Sequence, residues 1–193
     1  FVPVDKKGNL LSNSPVSFDN RGESFVQWWE KSLGAEKIMK ITGQPLHPMF
    51  SLNKIMWLKE NYPHIYSKTW KFLCCEDLVI YKLGLSPTID YSLASRTMAF
   101  DIFKKRWSEE ILSRADIDPF LLPEVVPSGT IVGEIPQRIA NSLSLPSKVA
   151  IVTGGHDHPC GALGAGVREE GTAVEVGGKF AADTFGVTPD IMT

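Results

Sequence analysis

The sequence predicts an α/β fold, in which helices pack against largely buried strands. Short apolar runs alternate along the chain with segments whose apolar residues recur at helical spacing. The apolar runs lack a clean alternation of polar and apolar residues, as is typical of strands buried on both faces. The run at 149–152 leads through two glycines into His156-Asp157-His158 and a small-residue helix. α/β folds commonly bind ligands at such a strand end.

Size, charge and cysteine content limit the function classes. The chain has 193 residues, enough for one domain with a substantial core, and a formal net charge of −2. Because acidic and basic residues are mixed, we expect neither a nucleic-acid nor a membrane partner. No apolar run approaches the roughly 18 residues of a membrane helix. Three cysteines, two of them adjacent, indicate reduced, buried thiols in a cytoplasmic protein rather than a disulfide framework or a zinc site.

The N-terminal elements follow from turn and capping signals. Residues 1–11 predict a hairpin, and a chain that opens inside a strand is expected to belong to a longer one. Asn20 and Glu23 have the spacing of a capping box before a helix that ends at Gly34. That helix carries Trp28 and Trp29, which are expected in the core rather than on a ligand platform.

Two further helices are predicted at 36–41 and 51–61. Ser51 is expected to cap the second, which ends before Pro63 because a residue that precedes proline avoids the helical region. Lys54 lies in the first turn, where a cation is unfavourable against the helix dipole. Its side chain is therefore either simply solvated or compensated by contacts elsewhere.

The remainder of the chain continues the alternation of strands and helices. The predicted elements are a strand at 70–75, a helix at 76–84, a polar loop at 88–92 that opens a short helix, a helix at 108–114, a strand at 131–135, a helix at 137–142, the strand at 149–152, a helix at 160–165 and a strand at 172–178.

The segment that follows the 149–152 strand has two interpretations. Asp157 lies between glycines and a helix start, which suits a carboxylate with a chemical role. Alternatively, Asp157 only caps the next helix, with Pro159 at the first helical position. The spacing of the residues does not decide between the two.

Several short segments form an ordered series along the chain. The most specific of them has constrained positions at Met49, Ser51, Lys54, Ile55, Trp57, Leu58, Glu60 and Asn61. The other segments are Asp19-Asn20-Arg21, Thr42-Gly43, residues 90–95, Trp107-Ser108, residues 121–129 and residues 154–158. In this order they resemble signatures of the FGGY family of carbohydrate kinases, which includes glycerol kinase, xylulokinase and gluconokinase, and the segment from Met49 to Asn61 resembles the family's first signature. The resemblance covers nearly the whole chain.

The resemblance implies an actin-like, ribonuclease-H-like fold. Members of the family have two such domains, with the active site in the cleft between them. By the match, residues 1–173 would be the N-terminal sugar-binding domain without its first strands and its phosphate hairpin. Residues 174–193 would be the start of the C-terminal nucleotide-binding domain, or an interdomain strand.

The resemblance also implies a reaction and two cofactors. The family transfers the γ-phosphoryl group of ATP to a hydroxyl of a sugar, sugar acid or polyol, and Mg²⁺ neutralises the phosphates. Asp157 matches the carboxylate that accepts the hydroxyl proton. By the same match, Gly177 and Gly178 lie where the family binds nucleotide phosphate. This chain alone is expected to be inactive, because half of the cleft would be missing.

Candidate substrate contacts come from the same matches. Asp19, Arg21, Met49 and His158 are expected to touch the carbohydrate. Asp19 and Arg21 have an alternative role as a structural ion pair beside a helix start. His158 replaces the asparagine or glutamine of the family, and Phe18 replaces an asparagine. These departures leave the identity of the sugar open.

Two other functions remain open. A metal-dependent hydrolase would use His156 and His158, which share a face of an extended segment while Asp157 points away. No second cluster of histidines and carboxylates is visible in the sequence to complete its shell, and the kinase interpretation assigns no metal ligands. The other alternative is a catalytically silent sugar-binding or regulatory protein with the same fold. A homodimer is also left open.

Overall fold

The computed structural model describes residues 1–167, which combine helices and strands as predicted for an α/β fold, although four helices follow the first strand in succession. In chain order the elements are β1 (Val2–Val4), α1 (Glu23–Ser32), α2 (Ala35–Thr42), α3 (Ser51–Asn61), α4 (Pro63–Tyr66), β2 (Lys71–Leu73), α5 (Cys75–Lys82), β3 (Thr88–Asp90), α6 (Tyr91–Ser95), β4 (Phe100–Asp101), β5 (Arg106–Trp107), α7 (Glu109–Arg114), a 3₁₀ turn (Pro119–Leu121), β6 (Glu124–Val126), β7 (Ile131–Glu134), α8 (Gln137–Ser142), β8 (Ala150–Val152) and α9 (Asp157–Gly164).

Within residues 1–167 the strands pair two by two. β1 pairs antiparallel with β2, and β3 pairs parallel with β6, with Ile89 opposite Val125. β4–β5 and β7–β8 are antiparallel, the latter with an irregularity between Ile131 and Gly133. The parallel pair places the end of β3, at Asp90, beside the loop that follows β6.

The core is organised around α3. The largest cluster of buried apolar side chains contains Leu52, Ile55 and Met56 of α3, with Trp29 of α1 and Phe72 of β2 packed in the same cluster. Residues 52–56 are buried without interruption, although a surface helix would expose part of each turn. The first half of the helix that carries the most specific sequence signature is therefore enclosed by the domain, whereas Glu60 and Asn61 at its end are exposed.

Two of the predicted helix caps are wrong. α1 begins after Gly22, and Asn20 contributes its backbone carbonyl, which accepts the Glu23 amide at 2.9 Å, in place of a side-chain cap. Ser51 is the first helical residue of α3, and Phe50 occupies the N-cap position. At the two helix starts, Gly22 packs closely on Asn53 and the Leu52 amide donates to the Thr97 carbonyl at 3.0 Å. Both contacts join residues far apart in the sequence, so a local pattern does not predict them.

Three strand predictions also need correction. The second strand of the predicted N-terminal hairpin is reduced to one bridge between Val4 and Leu10, and β1 pairs instead with β2. Residues 88–90, predicted as loop, form β3. β8 is more exposed than its apolar sequence predicts, with Val152 48% exposed.

The cysteines are free, but their burial differs from the prediction. Cys75 and Cys160 are exposed, and Cys74 is partly buried. Burial raises the pKa of the Cys74 thiol to about 12. Cys74 is therefore protonated at neutral pH and unreactive as a nucleophile.

The chain divides into two compact units at Gly154, of which the first is Phe1–Thr153. The described part of the second unit consists of a glycine-containing segment and α9. Asp157 is the first residue of α9, His156 occupies its N-cap position and Pro159 is its third residue. The interpretation of Asp157 as a helix cap with Pro159 at the first position is therefore wrong. Among the described residues, no helix combines the length and the apolar character needed to cross a membrane.

Candidate functional site

The first group of candidate residues lies in the loop before α1. The Arg21 side chain folds back on Asp19, with Nε 2.8 Å from both carboxylate oxygens and a second guanidinium nitrogen 2.7 Å from Oδ2. The Asp19 carboxylate also accepts the Arg21 amide at 3.0 Å. These contacts hold the pKa of Asp19 below its usual value and raise that of Arg21. The structural ion pair left open by the sequence is therefore present.

Two side chains of α3, Lys54 and Trp57, anchor this loop. Lys54 is buried, and its Nζ donates to the carbonyl oxygens of Val16 at 2.6 Å and Ser17 at 3.1 Å. The Arg21 guanidinium lies 4.6 Å from the centroid of the Trp57 ring, in the geometry of a cation–π contact. Lys54 is therefore compensated by backbone carbonyls rather than solvated.

Burial also affects the charge of Lys54. Desolvation lowers the pKa of the ammonium group, while the charge of Asp19 opposes that shift. The carbonyl oxygens of Val16 and Ser17 replace part of the lost hydration. Lys54 thus provides a positive charge beneath the loop without presenting its ammonium group to solvent.

Asn53, the neighbour of Lys54 on α3, joins three segments. Its Oδ1 accepts the indole N–H of Trp29 at 2.9 Å, and its Nδ2 donates to the His47 carbonyl at 2.9 Å. Gly22 packs so closely on Asn53 that a Cβ at position 22 would lie 2.8 Å from the Asn53 Cβ. The loop with Asp19 and Arg21 therefore enters α1 directly across the surface of α3.

Met49 lies just before α3. It is partly buried and packs against the main core cluster, and its amide donates to Nδ1 of His47 at 3.2 Å. A contact between Met49 and substrate remains a prediction, because the packing explains the residue without one.

The second group of candidate residues lies at the start of α9. Both imidazoles contact the same oxygen of Asp157: Oδ1 is 2.7 Å from Nδ1 of His156 and 2.9 Å from Nδ1 of His158. The two rings are stacked, with centroids 5.2 Å apart, and their Nδ1 atoms are 3.3 Å apart. The expectation that Asp157 points away from the histidines is wrong, because the helix starts at Asp157 and the backbone is no longer extended there.

The Asp157 carboxylate is an accessible anion. Its side chain is 81% exposed, and its hydrogen bond with His158 lowers its pKa, with a further contribution from His156. An exposed carboxylate with a lowered pKa is ionised at neutral pH and can accept a proton from a donor that reaches it.

The two groups of candidates fall in different units. Asp19, Arg21 and Met49 belong to Phe1–Thr153, whereas Asp157 and His158 belong to the unit that begins at Gly154. The structure joins Asp19 to Arg21 and Asp157 to His158, each within its own unit. Gly177 and Gly178, predicted to contact nucleotide, lie outside the described residues.

Sequence reasoning missed two buried polar residues that shape the first unit. No local sequence pattern indicated the hydrogen bonds of Asn53, because its partners lie 24 and 6 residues away. Asp90, at the end of β3, accepts the amides of Ser92 and Leu93 and the hydroxyl of Ser128. The Asp-x-Ser spacing before a short helix was the available signal for the α6 cap.

The described residues offer one set of metal-ligating side chains. Among residues 1–167, His156, Asp157 and His158 are the only group of three whose ligand atoms lie close enough to share an ion. This set has two imidazoles and one carboxylate, whereas Mg²⁺ prefers oxygen ligands and retained waters. The described residues therefore do not by themselves fit a Mg²⁺ site.

Comparison with known proteins agrees with this architecture. The model of the FGGY family of carbohydrate kinases, N-terminal domain, matches residues 1–164. The chain is 31% identical over 170 residues to a xylulose kinase of Staphylococcus xylosus, and 30% identical over 185 residues to a gluconokinase of Bacillus subtilis. These alignments cover 88% and 95% of this chain but only 35% and 36% of the two relatives. The chain thus spans about a third of their length.

Solved structures show the same fold. A xylulose kinase from Rhodospirillum rubrum superposes with a TM-score of 0.79 at 22% identity, over 88% of this chain and 35% of that one. Plasmodium falciparum glycerol kinase with ADP superposes with a TM-score of 0.76 at 25% identity, over 86% of this chain and 33% of that one. The fold is that of the first, actin-like domain of sugar kinases. The chain accordingly belongs to the FGGY family of carbohydrate kinases and carries their N-terminal domain.

Proposed function

We propose that this chain is the sugar-binding part of a longer cytoplasmic kinase that phosphorylates a hydroxyl of a sugar, sugar acid or polyol. The observation that carries the proposal is Asp157, an exposed and ionised carboxylate at the first residue of α9. In the proposed domain division, residues 1–173 form the sugar-binding domain and residues 174–193 lead into the nucleotide-binding one. Assembly as a homodimer is left open.

In the proposed reaction Asp157 is the general base. The substrate O–H donates its proton to a carboxylate oxygen of Asp157 as the substrate oxygen bonds to the γ-phosphorus of ATP. The bond from that phosphorus to the bridging oxygen breaks, and ADP leaves with the electron pair. Mg²⁺, bound with the nucleotide by the rest of the kinase, would neutralise phosphate charge. Gly177 and Gly178 are the nucleotide contacts that we propose from this chain.

The loop before α1 is the proposed sugar-binding element of the first unit. Asp19 supplies acceptor oxygens, Arg21 supplies donors, and a hydroxyl-rich substrate needs both. From α3, Lys54 binds the loop at the Val16 carbonyl and Trp57 contacts Arg21, so the loop is positioned before substrate arrives. Met49 and His158 are the two other proposed contacts with the carbohydrate.

The test is phosphoryl transfer by a kinase that contains this sequence together with its nucleotide-binding domain. We would assay ATP with Mg²⁺ against ketoses, aldoses, sugar acids and polyols, beside Asp157→Asn. The expected result is transfer to a narrow set of substrates, with kcat lowered about 10²- to 10⁴-fold in the variant. Asp116→Asn is the matched control, since Asp116 is also an exposed carboxylate with a lowered pKa.

Different outcomes would contradict different parts of the proposal. Unchanged kcat in Asp157→Asn would remove Asp157 as the base while leaving the kinase intact. If no substrate is phosphorylated but sugar binding is still measurable by calorimetry, the result would favour the catalytically silent sugar-binding protein.

A further inference from the structure

The contact between Asp157 and its two histidines has the dimensions of a metal site. Nδ1 of His156, Nδ1 of His158 and Oδ1 of Asp157 form a triangle with sides of 3.3, 2.9 and 2.7 Å. Two nitrogens bound to one tetrahedral Zn²⁺ at about 2.0–2.1 Å lie about 3.3–3.4 Å apart. The histidine nitrogens already have this separation, and the carboxylate oxygen needs to move by only about half an ångström to match it.

We propose that His156, Asp157 and His158 bind a divalent transition-metal ion of the zinc class, and that the bound ion blocks the catalytic use of Asp157. The three ligands would occupy one face of a tetrahedron, and a water would complete it. The claim that the ion blocks catalysis rests on the proposed function of Asp157 as the general base. The claim that the ion binds depends only on the three side chains.

The donor set selects the class of ion. Imidazole nitrogens suit Zn²⁺, Co²⁺, Ni²⁺ and Cu²⁺, whereas Mg²⁺ and Ca²⁺ prefer oxygen. Partial exposure of the three side chains keeps the desolvation cost low and leaves room for a coordinated water. The start of α9 disfavours a cation, and the negative charge of Asp157 offsets that effect.

Metal binding needs a redistribution of protons on the histidines. Without metal, a hydrogen bond from an imidazole Nδ1 to Asp157 requires a proton on that nitrogen. With metal, both Nδ1 lone pairs face the ion and the proton of each neutral ring lies on Nε2. Oδ1 of Asp157 then donates its lone pair to the metal, so that this oxygen is no longer free to accept the proton of a substrate hydroxyl.

Metal binding is tested on the 193-residue chain with Co²⁺, followed by competition with Zn²⁺. We expect about one Co²⁺ per chain with visible absorption of the tetrahedral type. His156→Gln and His158→Asn should each raise Kd at least about tenfold, the scale that even a lost outer partner costs. His47→Gln/His64→Gln, which removes the remaining histidines of the chain, should leave binding unchanged.

The exposed thiols need their own control. Cys160 lies on α9, and its Sγ contacts the carbonyl of Gly155. A Cys160→Ser variant that loses the Co²⁺ spectrum, or a wild-type spectrum with strong near-ultraviolet thiolate bands, would overturn the assignment to the three side chains. Equal Co²⁺ binding by the wild type and by His156→Gln/His158→Asn would overturn it as well.

Inhibition is tested separately on the active kinase. Zn²⁺ is added at saturating Mg²⁺ and ATP, and the rate of each variant is normalised to its own rate without Zn²⁺. We expect His156→Gln to raise the Zn²⁺ concentration for half inhibition at least about tenfold. If the chain binds Co²⁺ but the kinase resists Zn²⁺, the blocking role is wrong. If the kinase that contains this sequence phosphorylates none of the substrates, the proposed function fails, while the Co²⁺ experiment still decides the metal site.

Discussion

The indole nitrogen of Trp29 donates a 2.9 Å hydrogen bond to Oδ1 of Asn53, and both side chains are fully buried. The amide nitrogen of Asn53 donates in turn to the carbonyl of His47. One side chain of α3 therefore satisfies the buried indole of α1 and a backbone carbonyl of the segment that leads into α3. Buried polar groups of this kind are costly when they lose a partner.

We expect Asn53→Ala to lower the free energy of unfolding by about 1–3 kcal/mol, because the buried Trp29 indole loses its acceptor and the His47 carbonyl keeps only the Phe50 amide, at 3.5 Å. Urea unfolding of the chain measures the change. A double-mutant cycle with Trp29→Phe isolates the hydrogen bond, with an expected coupling of about 0.5–3 kcal/mol. Strictly additive effects of the two changes would show that this bond contributes nothing.

Lys54→Met tests the anchor of the loop before α1. The variant nearly keeps the length of the side chain but removes the ammonium donor from the carbonyls of Val16 and Ser17, of which Val16 retains the Asp19 amide at 3.2 Å. We expect faster tryptic cleavage after Arg21 and a loss of about 1–3 kcal/mol of stability. Lys59→Met on the same helix removes a surface ion pair with Asp116 and should cost about 0–1 kcal/mol. Equal cleavage rates in both variants would contradict the anchoring role.

Gly22→Ala tests the close approach of the loop to α3. Gly22 has a φ of −86°, which alanine also adopts, so the expected damage comes from the 2.8 Å contact with Asn53. Overpacking of this kind costs about 1–3 kcal/mol. Gly161→Ala in α9 is the control: an added Cβ there meets no atom of residues 1–167 within 4 Å, and alanine favours the helix by up to about 1 kcal/mol. Thermal unfolding that gave both variants the same sign would contradict the packing argument.

Asp77 predicts a pH dependence of stability. The residue is buried in the first turn of α5, and neither carboxylate oxygen has a hydrogen-bond partner among the described residues. Burial raises the pKa of Asp77 well above its usual value, so the folded chain keeps a proton that the unfolded chain releases. Stability should therefore fall as the pH rises above the unfolded pKa of about 4, by up to about 1.4 kcal/mol per pH unit, until the folded pKa is reached.

Asp77→Asn removes this titration and should flatten the pH profile above about pH 4. Denaturant unfolding at several pH values measures the slope. Asp116→Asn is a control of opposite sign, since Lys59 lowers the pKa of Asp116 and the stabilisation by that pair is lost as the pH falls. A profile as steep in Asp77→Asn as in the wild type would exclude Asp77 as the source.

Local signals predicted some elements well and failed where distant pairing decides. α8 has its predicted limits of 137–142, and α7 starts beside its capping residue Ser108. β3 was predicted as loop because the segment is polar and Asp90 disfavours strands, yet it forms by parallel pairing with β6. β4 and β5 are two residues each and have no local pattern to read. Strands of two residues are defined only by their hydrogen-bonded pairing with another strand.

For the candidate site, residue identities were predictable but contacts were not. The order of short motifs identified Asp19, Arg21 and Asp157. The burial of Lys54 beneath Val16 depends on a contact across 38 residues, which no local pattern encodes. The placement of Asp157 between its histidines depends on where α9 begins, since a shift of the helix start would return the segment to alternating faces.

The enclosure of α3 has a consequence for how the first unit opens. Amide hydrogens in a segment without exposed residues, such as 52–56, exchange with solvent only when the surrounding structure comes apart. Residues 52–56 of α3 should accordingly be among the slowest to exchange. Because Lys54 holds the Val16 and Ser17 carbonyls, the base of the Asp19–Arg21 loop is attached to the part of the chain that opens last.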